Sequence, residues 1–137
     1  MSNYVKPLPV VDAQSEPFWS ACKEERLIIQ KCNACGTHRF PAMHYCANCR
    51  SGSCDWVEAS GKGKVFSWII VNHPVPADIW GDDVPYAVGL IELDEGVRMV
   101  SNIIECEHEK IAGDMRVEVT FEQAGEEFKL PKFKPAQ

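Results

Sequence analysis

The sequence predicts a mainly β protein: an N-terminal helix and a four-cysteine metal knuckle, followed by a small five-stranded barrel. Three observations carry this. Two CxxC pairs stand close together in the first half. After Cys49 the chain becomes a series of short β-branched runs separated by glycines and acidic turns. At 137 residues, with 45% hydrophobic and 25% charged residues, the chain can bury one modest core and a stapled satellite, but not two full domains. The expected division is 1–60 for helix and knuckle and 61–137 for the barrel.

The first element is a short helix within residues 15–25, SEPFWSACKEE. Ser15 is placed to cap it, Pro17 falls in its first turn, and Phe18, Trp19 and Cys22 recur at helical spacing. Residues 26–31 (RLIIQK) read as a strand running into the first cysteine pair. That pair, Cys32-Asn33-Ala34-Cys35, is followed by Gly36, and ten residues separate it from Cys46-Ala47-Asn48-Cys49. A CxxC turn lets both sulfurs reach one ion while backbone amides point at the thiolates, and two turns complete a tetrahedral four-sulfur site. Gly36 stands where a knuckle needs positive φ. Two disulfides or four unconnected thiols are the alternatives, and a redox dithiol needs only one pair near a helix start. Zinc suits an all-thiolate tetrahedron, and iron fits the same geometry. With four thiolates the site is closed and structural, so His38 and His44 are expected to face solvent.

The barrel strands are expected at residues 64–72, 86–93, 97–104 and 115–122, with a weaker one at 127–130. Asp94-Glu95-Gly96 makes the hairpin between the second and third. Residues 107–113 (EHEKIAG) form a single helical turn, where an OB-fold interrupts its strands. Between the first two strands, residues 73–83 form a long proline-bearing loop, in which Trp80 either covers a ligand or plugs the barrel mouth. The terminal run FKLPKFKP sets Lys129, Lys132 and Lys134 among apolar residues, either to meet phosphates of a nucleotide-like ligand or to solvate the last strand. Cys22, Cys54 and Cys106 are expected to be buried structural thiols, and Glu105, Glu107 and Glu109 a solvated turn.

Function classes are narrowed by charge and by motif. Residues 1–60 hold six Lys/Arg and six Asp/Glu, whereas 61–137 hold eight and fourteen, so the net charge of -6 lies in the second half. An excess of carboxylates disfavours nucleic acid, which needs clustered cations for counterion release. No GxxxxGK, GxSxG or HExxH motif occurs. No stretch approaches the roughly 20 apolar residues of a membrane span, and a cytoplasmic protein with reduced cysteines is expected.

The order of Phe18-Trp19, Cys32 to Gly36, Phe40-Pro41, Cys46 to Cys49, Trp56, Ser60 to Gly63, Pro85-Tyr86, Leu93 to Gly96, Gly113-Asp114-Met115 and Leu130 to Phe133 resembles the family that joins a rubredoxin-like zinc ribbon to an acyl-CoA-associated OB-fold. The resemblance runs from about Glu16 to Pro135. It implies a non-catalytic companion subunit of a thiolase or thiolase-like acyltransferase, in which the partner holds the nucleophile and the OB-fold bridges subunits and helps hold a CoA thioester. It also admits companions of acyl-CoA hydratases or aldolases. A single-stranded nucleic-acid binder is the reading from another class. Cys32, Cys35, Cys46 and Cys49 carry over as ligands of structural Zn2+. The family has no short CoA signature, so Trp80, Tyr86, Lys132 and Lys134 are expected CoA contacts on their chemistry alone.

Overall fold

The computed structural model describes residues 4–136. Helix α1 (Glu16–Lys23) leads into β1 (Ile28–Cys32), which is the centre of a three-stranded antiparallel sheet with β2 (His38–Arg39) on one side and β3 (Cys54–Glu58) on the other. Then come β4 (Lys62–Val71), a helical turn α2 (Ala77–Trp80), β5 (Tyr86–Leu93), β6 (Arg98–Ile103), a 3-10 turn at His108–Lys110, β7 (Arg116–Ala124) and β8 (Phe128–Pro135). The last five strands close a barrel in the order β4-β5-β6-β8-β7, with the 3-10 turn between β6 and β7 as expected of an OB-fold. The expected boundary at residue 60 falls between β3 and β4. Among the described residues no helix is long and apolar enough to cross a membrane.

Pro17 opens α1 as expected, but Ser15 does not cap it with its side chain. Its hydroxyl instead accepts from the Asp12 amide at 3.2 Å, while the Ser15 amide donates to Asp12 Oδ1 at 2.7 Å. This reciprocal pair fixes the entry of the helix from outside it. Phe18, Ala21 and Cys22 form the buried face, and the aromatic rings wedge α1 between the two sheets. Phe18 meets Phe40 of the ribbon at 5.3 Å, and Trp19 meets Phe128 of β8 edge-on at 6.2 Å. Buried Leu27 and Ile29 share one apolar cluster with Val65, Ile91, Val117 and Phe133 of the barrel, so there is a single core. At the far end of the helix, Lys129 Nζ lies 2.9 Å from Glu25 Oε2.

Burial alternates along β5, with Ala87, Gly89, Ile91 and Leu93 inward and Tyr86, Val88, Leu90 and Glu92 half-buried on the other face. The hairpin to β6 turns at Gly96, whose φ of +95° the absence of a Cβ permits. Strand β8 is longer than the expected 127–130, because its prolines sit where they do no harm. The Phe133 carbonyl accepts from the Ile104 amide at 2.8 Å and so faces β6. Pro131 and Pro135 share that parity, so their missing N–H groups face away from the β7 ladder. The β6–β8 seam is a single parallel pair, Ile103 with Phe133, which leaves little to lose there. The expected loop at 73–83 contains the short α2, started by Pro76 in extended conformation.

Candidate functional site: a four-sulfur centre and a cleft on the barrel

Both knuckles are built by the same local hydrogen bonds. The Gly36 amide donates to Cys32 O at 2.9 Å, and the Arg50 amide donates to Cys46 O at 2.8 Å. Gly36 has φ +77°, and Arg50, in the equivalent place, takes φ +68° without being glycine. Asn33 ties one knuckle to the other end of the ribbon, through its amide to Ser53 O at 3.0 Å and its Nδ2 to Ser53 Oγ at 2.9 Å.

These turns bring the four sulfurs within 4.8 Å of one another. Cys32 and Cys49 are 3.5 Å apart, Cys35 and Cys46 3.6 Å. A tetrahedron of Zn–S bonds of ~2.3 Å has edges of about 3.8 Å, so the sulfurs stand nearly at the spacing a zinc ion requires. All four cysteines are free, and their separations are far beyond the ~2.05 Å of a disulfide, which removes the disulfide alternative. Cys32 and Cys46 are buried, whereas Cys35 and Cys49 are exposed. His38 is half-buried in β2, His44 is exposed, and neither joins the cluster.

The electrostatics favour a cation. The Thr37 hydroxyl, 3.1 Å from Cys35 Sγ, and the Asn48 amide hold the Cys35 thiol down at about 5. Backbone amides, that of Cys35 first, also lower Cys32. The Ser51 amide favours a thiolate at Cys49, but the crowding sulfurs, Cys32 above all, push it up to about 12. Four thiolates this close cannot all ionise without a positive charge among them, and a dication supplies it. The donor set thus fits structural zinc and leaves no open coordination position.

Behind the ribbon a buried clamp fixes the loop between the knuckles. Arg39 Nε donates to Gln30 Oε1 at 2.8 Å, Arg39 Nη2 donates to Met43 O at 2.9 Å, and the Met43 amide donates to Gln30 Oε1 at 2.8 Å. Both side chains are buried. Nothing in the spacing of Gln30 and Arg39 marks this role, because it depends on the β1–β2 register that places them opposite each other.

A cleft of about 460 Å³ opens at the start of β5 and the end of β6, and it gathers Trp80, Tyr86 and Lys132. The Trp80 and Tyr86 rings lie 6.0 Å apart and tilted by 36°. Lys132 Nζ is 2.7 Å from Glu122 Oε1. Lys134, opposite Glu118 on β7, is not part of the lining. Three cleft residues carry no sequence signal: Lys6, Asn102 and Cys106. Lys6 Nζ reaches over the Trp80 ring at 5.7 Å and sits 2.7 Å from Asp83, whose hydrogen bond keeps Lys6 protonated beyond its usual range. Both ammonium groups are therefore already engaged by carboxylates, and a phosphate entering the cleft has to compete with Asp83 and Glu122.

Family models match both parts of the chain: "ChsH2, rubredoxin-like zinc ribbon domain" over residues 19–55 and "ChsH2, C-terminal OB-fold domain" over residues 56–122. A "DUF35 domain-containing scaffold protein" of Methanocaldococcus jannaschii is 35% identical over 80% of this chain and 77% of its own length. The chain belongs to the ChsH2/DUF35 family. A "Probable enoyl-CoA hydratase alpha subunit" of Thermomonospora curvata is 39% identical over 96% of this DUF35 chain, which spans only 40% of that relative's length. Among solved structures, a chain described as "Ltp2-ChsH2(DUF35) aldolase" superposes with a TM-score of 0.84 at 39% identity, over 95% of this chain and 100% of that one.

The three remaining thiols of this DUF35 protein differ in environment. Cys22 is fully buried in α1 as expected, and burial pushes it up to about 12. Cys54 and Cys106 are only half-buried, contrary to expectation: Cys54 begins a sheet-edge strand opposite Cys32, and Cys106 lies in the cleft wall. Brief alkylation of the zinc-loaded protein at pH 8 is therefore expected to modify Cys106 and Cys54 while sparing Cys22 until the chain unfolds. Peptide mass spectrometry checks this, and early labelling of Cys22 counts against the packing of α1.

Proposed function

We propose that this chain is a non-catalytic, zinc-stabilised scaffold subunit that docks on an acyl-CoA-processing enzyme, the partner supplying the reacting groups. The observation that carries the reading is the superposition along the whole length of a chain of the structure described as "Ltp2-ChsH2(DUF35) aldolase". A closed four-thiolate centre supports it, since a zinc held by four sulfurs has no position for water or substrate and acts on folding. The scaffold wording of the archaeal relative points the same way.

Within this reading the partner is a thiolase-like acyltransferase, with an acyl-CoA aldolase as the alternative, and the CoA thioester lies along the cleft beside Trp80 and Tyr86, with Lys132 near its phosphates and Lys134 farther along β8. The hydratase wording of the Thermomonospora relative favours a second partner class, an acyl-CoA hydratase. A single-stranded nucleic-acid role is the weaker reading, because the barrel half carries the net negative charge and the cleft lysines are paired with carboxylates.

The test is purification of the tagged chain from its native cells, with mass spectrometry of bound proteins and zinc analysis of the same sample. About one zinc per chain together with a thiolase-like, aldolase or hydratase subunit is the expected result, and the identity of that subunit chooses between the partner classes. Recovery of nucleic acid without such an enzyme overturns the reading.

A further inference from the structure

Strand β4 is paired on both sides only along its first half. It follows β5 from Gly63 to Val71, but meets β7 only from Lys62 to Lys64. Val65 still turns both backbone groups toward the β7 side, donating to Met115 O at 3.0 Å and accepting from the Asp114 amide at 2.8 Å. After the bulge between Val65 and Ser67 the register resumes with Ser67 opposite Leu90. Antiparallel alternation then directs Ser67, Ile69 and Val71 at β5, and Trp68 and Ile70 away from it. Among the described residues no strand covers that outer edge, and Asn72 Nδ2 makes a long contact to Ile70 O there at 3.4 Å.

The same stretch stands clear of the core. Residues 66–69 are all exposed, on both faces of the strand. Phe66 is 48% exposed, Trp68 37%, Ile69 62%, and Val100, two strands across, 68%. Residues 66–76, FSWIIVNHPVP, contain no Asp, Glu, Lys or Arg, in a half-chain that otherwise holds fourteen carboxylates. Proteins ordinarily blunt such an edge with charge, proline or cover. Here the open edge carries an apolar face with no charge of its own; the charge set against it is the Arg98 guanidinium of β6, 3.8 Å over the Phe66 ring.

Resting on the scaffold reading above, we infer that the β4 edge from Phe66 to Val71 is where the acyl-CoA enzyme docks, by adding an apolar extended segment of its own as a further strand. Main-chain groups of Trp68 and Ile70 hold the added backbone, and Phe66 and Ile69 flank its side chains. Area decides between this occupant and a second copy of the chain. The three exposed side chains of the edge, Phe66, Trp68 and Ile69, present roughly 300 Å². A pair of identical edges therefore buries about 600 Å² in all, below the ~1,200 Å² of stable interfaces. A larger partner also covers the adjoining loop, where Val75 is exposed.

The test uses the zinc-loaded full chain and the acyl-CoA enzyme that copurifies with it, each purified, with affinity measured by biolayer interferometry. Ile70→Pro removes an N–H that points outward, so the β5 ladder survives; Ile69→Lys leaves the backbone intact and charges the face. Each is expected to weaken binding about tenfold or more with zinc content unchanged, whereas Val75→Lys, off the edge, has a smaller effect. Ile70→Pro also lowers thermal stability because Ile70 packs against the core, so Ile69→Lys, with unfolding unchanged, is the deciding variant. Wild-type affinity in well-folded Ile69→Lys overturns the edge assignment and leaves the scaffold reading standing. A wild-type dimer in solution that Ile69→Lys dissociates also overturns it, since the edge then belongs to a second copy. Failure of any acyl-CoA enzyme to copurify with the wild-type chain overturns both.

Discussion

Replacing Cys32 and Cys46 together by serine is expected to reduce bound zinc from about one per chain to nearly none and to unfold the ribbon. Each substitution removes one member of a close sulfur pair, Cys32 from Cys49 and Cys46 from Cys35. Two thiolates remain, and an all-thiolate site reduced to two ligands loses most of an apparent binding energy of about 10–16 kcal/mol. The sheet has little else to hold it: β2 is two residues long, and β1 and β3 are five each. Hydrogen exchange is the discriminating measurement. Amides of residues 32–54 should lose protection outright, those of β5 and β7 should fall by the stability that the zinc-loaded ribbon no longer lends them, and the scaffold reading further expects partner binding to disappear. Retained zinc with a protected ribbon overturns the metal assignment.

Phe133→Ala is expected to cost about 3–5 kcal/mol, the range for truncating a fully buried phenylalanine. Phe133 has no exposed surface, and it forms the one register pair that closes the barrel between β6 and β8. Its carbonyl also accepts from the Ile104 amide. The cavity therefore opens at the weakest seam, where few ladder bonds oppose separation of the strands. Urea unfolding should show a lower midpoint with little change in slope, and Phe133→Leu should recover most of the loss. A midpoint unchanged in Phe133→Ala means that the core does not depend on that seam.

The four-sulfur centre was fully legible in the sequence, because metal ligation needs fixed residue types at short spacing, and spacing survives in one dimension. The barrel was legible nearly strand by strand because its strands are short β-branched or apolar runs bounded by turn residues, with Gly96 marking the β5–β6 hairpin. The end of β8 was not. Pro131 and Pro135 argue against a strand until one knows which way their nitrogens face, which only the register tells. Strands β2 and β3 were missed because two to five residues carry no periodicity of their own; they exist because β1 lies between them. Ser15 was read as a cap from its type, yet its hydroxyl turned to Asp12, an equally local choice. The cleft was half legible. Trp80, Tyr86 and Lys132 meet there, but Lys6 arrives from some seventy residues away and no motif marks it, and Lys134 lies beyond the lining.

The ring contacts from Phe40 through Phe18 and Trp19 to Phe128 make the ribbon and the barrel neighbours in one cooperative unit. A ligand bound by one part then lends stability to the other, by an amount set by its free concentration and not by any contact it makes with the barrel. Each tenfold rise in free zinc above its dissociation constant adds about 1.4 kcal/mol to the folded state. Zinc supply thus governs how much of the barrel stays folded, β4 edge included, and a metal some distance from the docking strand sets the number of chains fit to assemble.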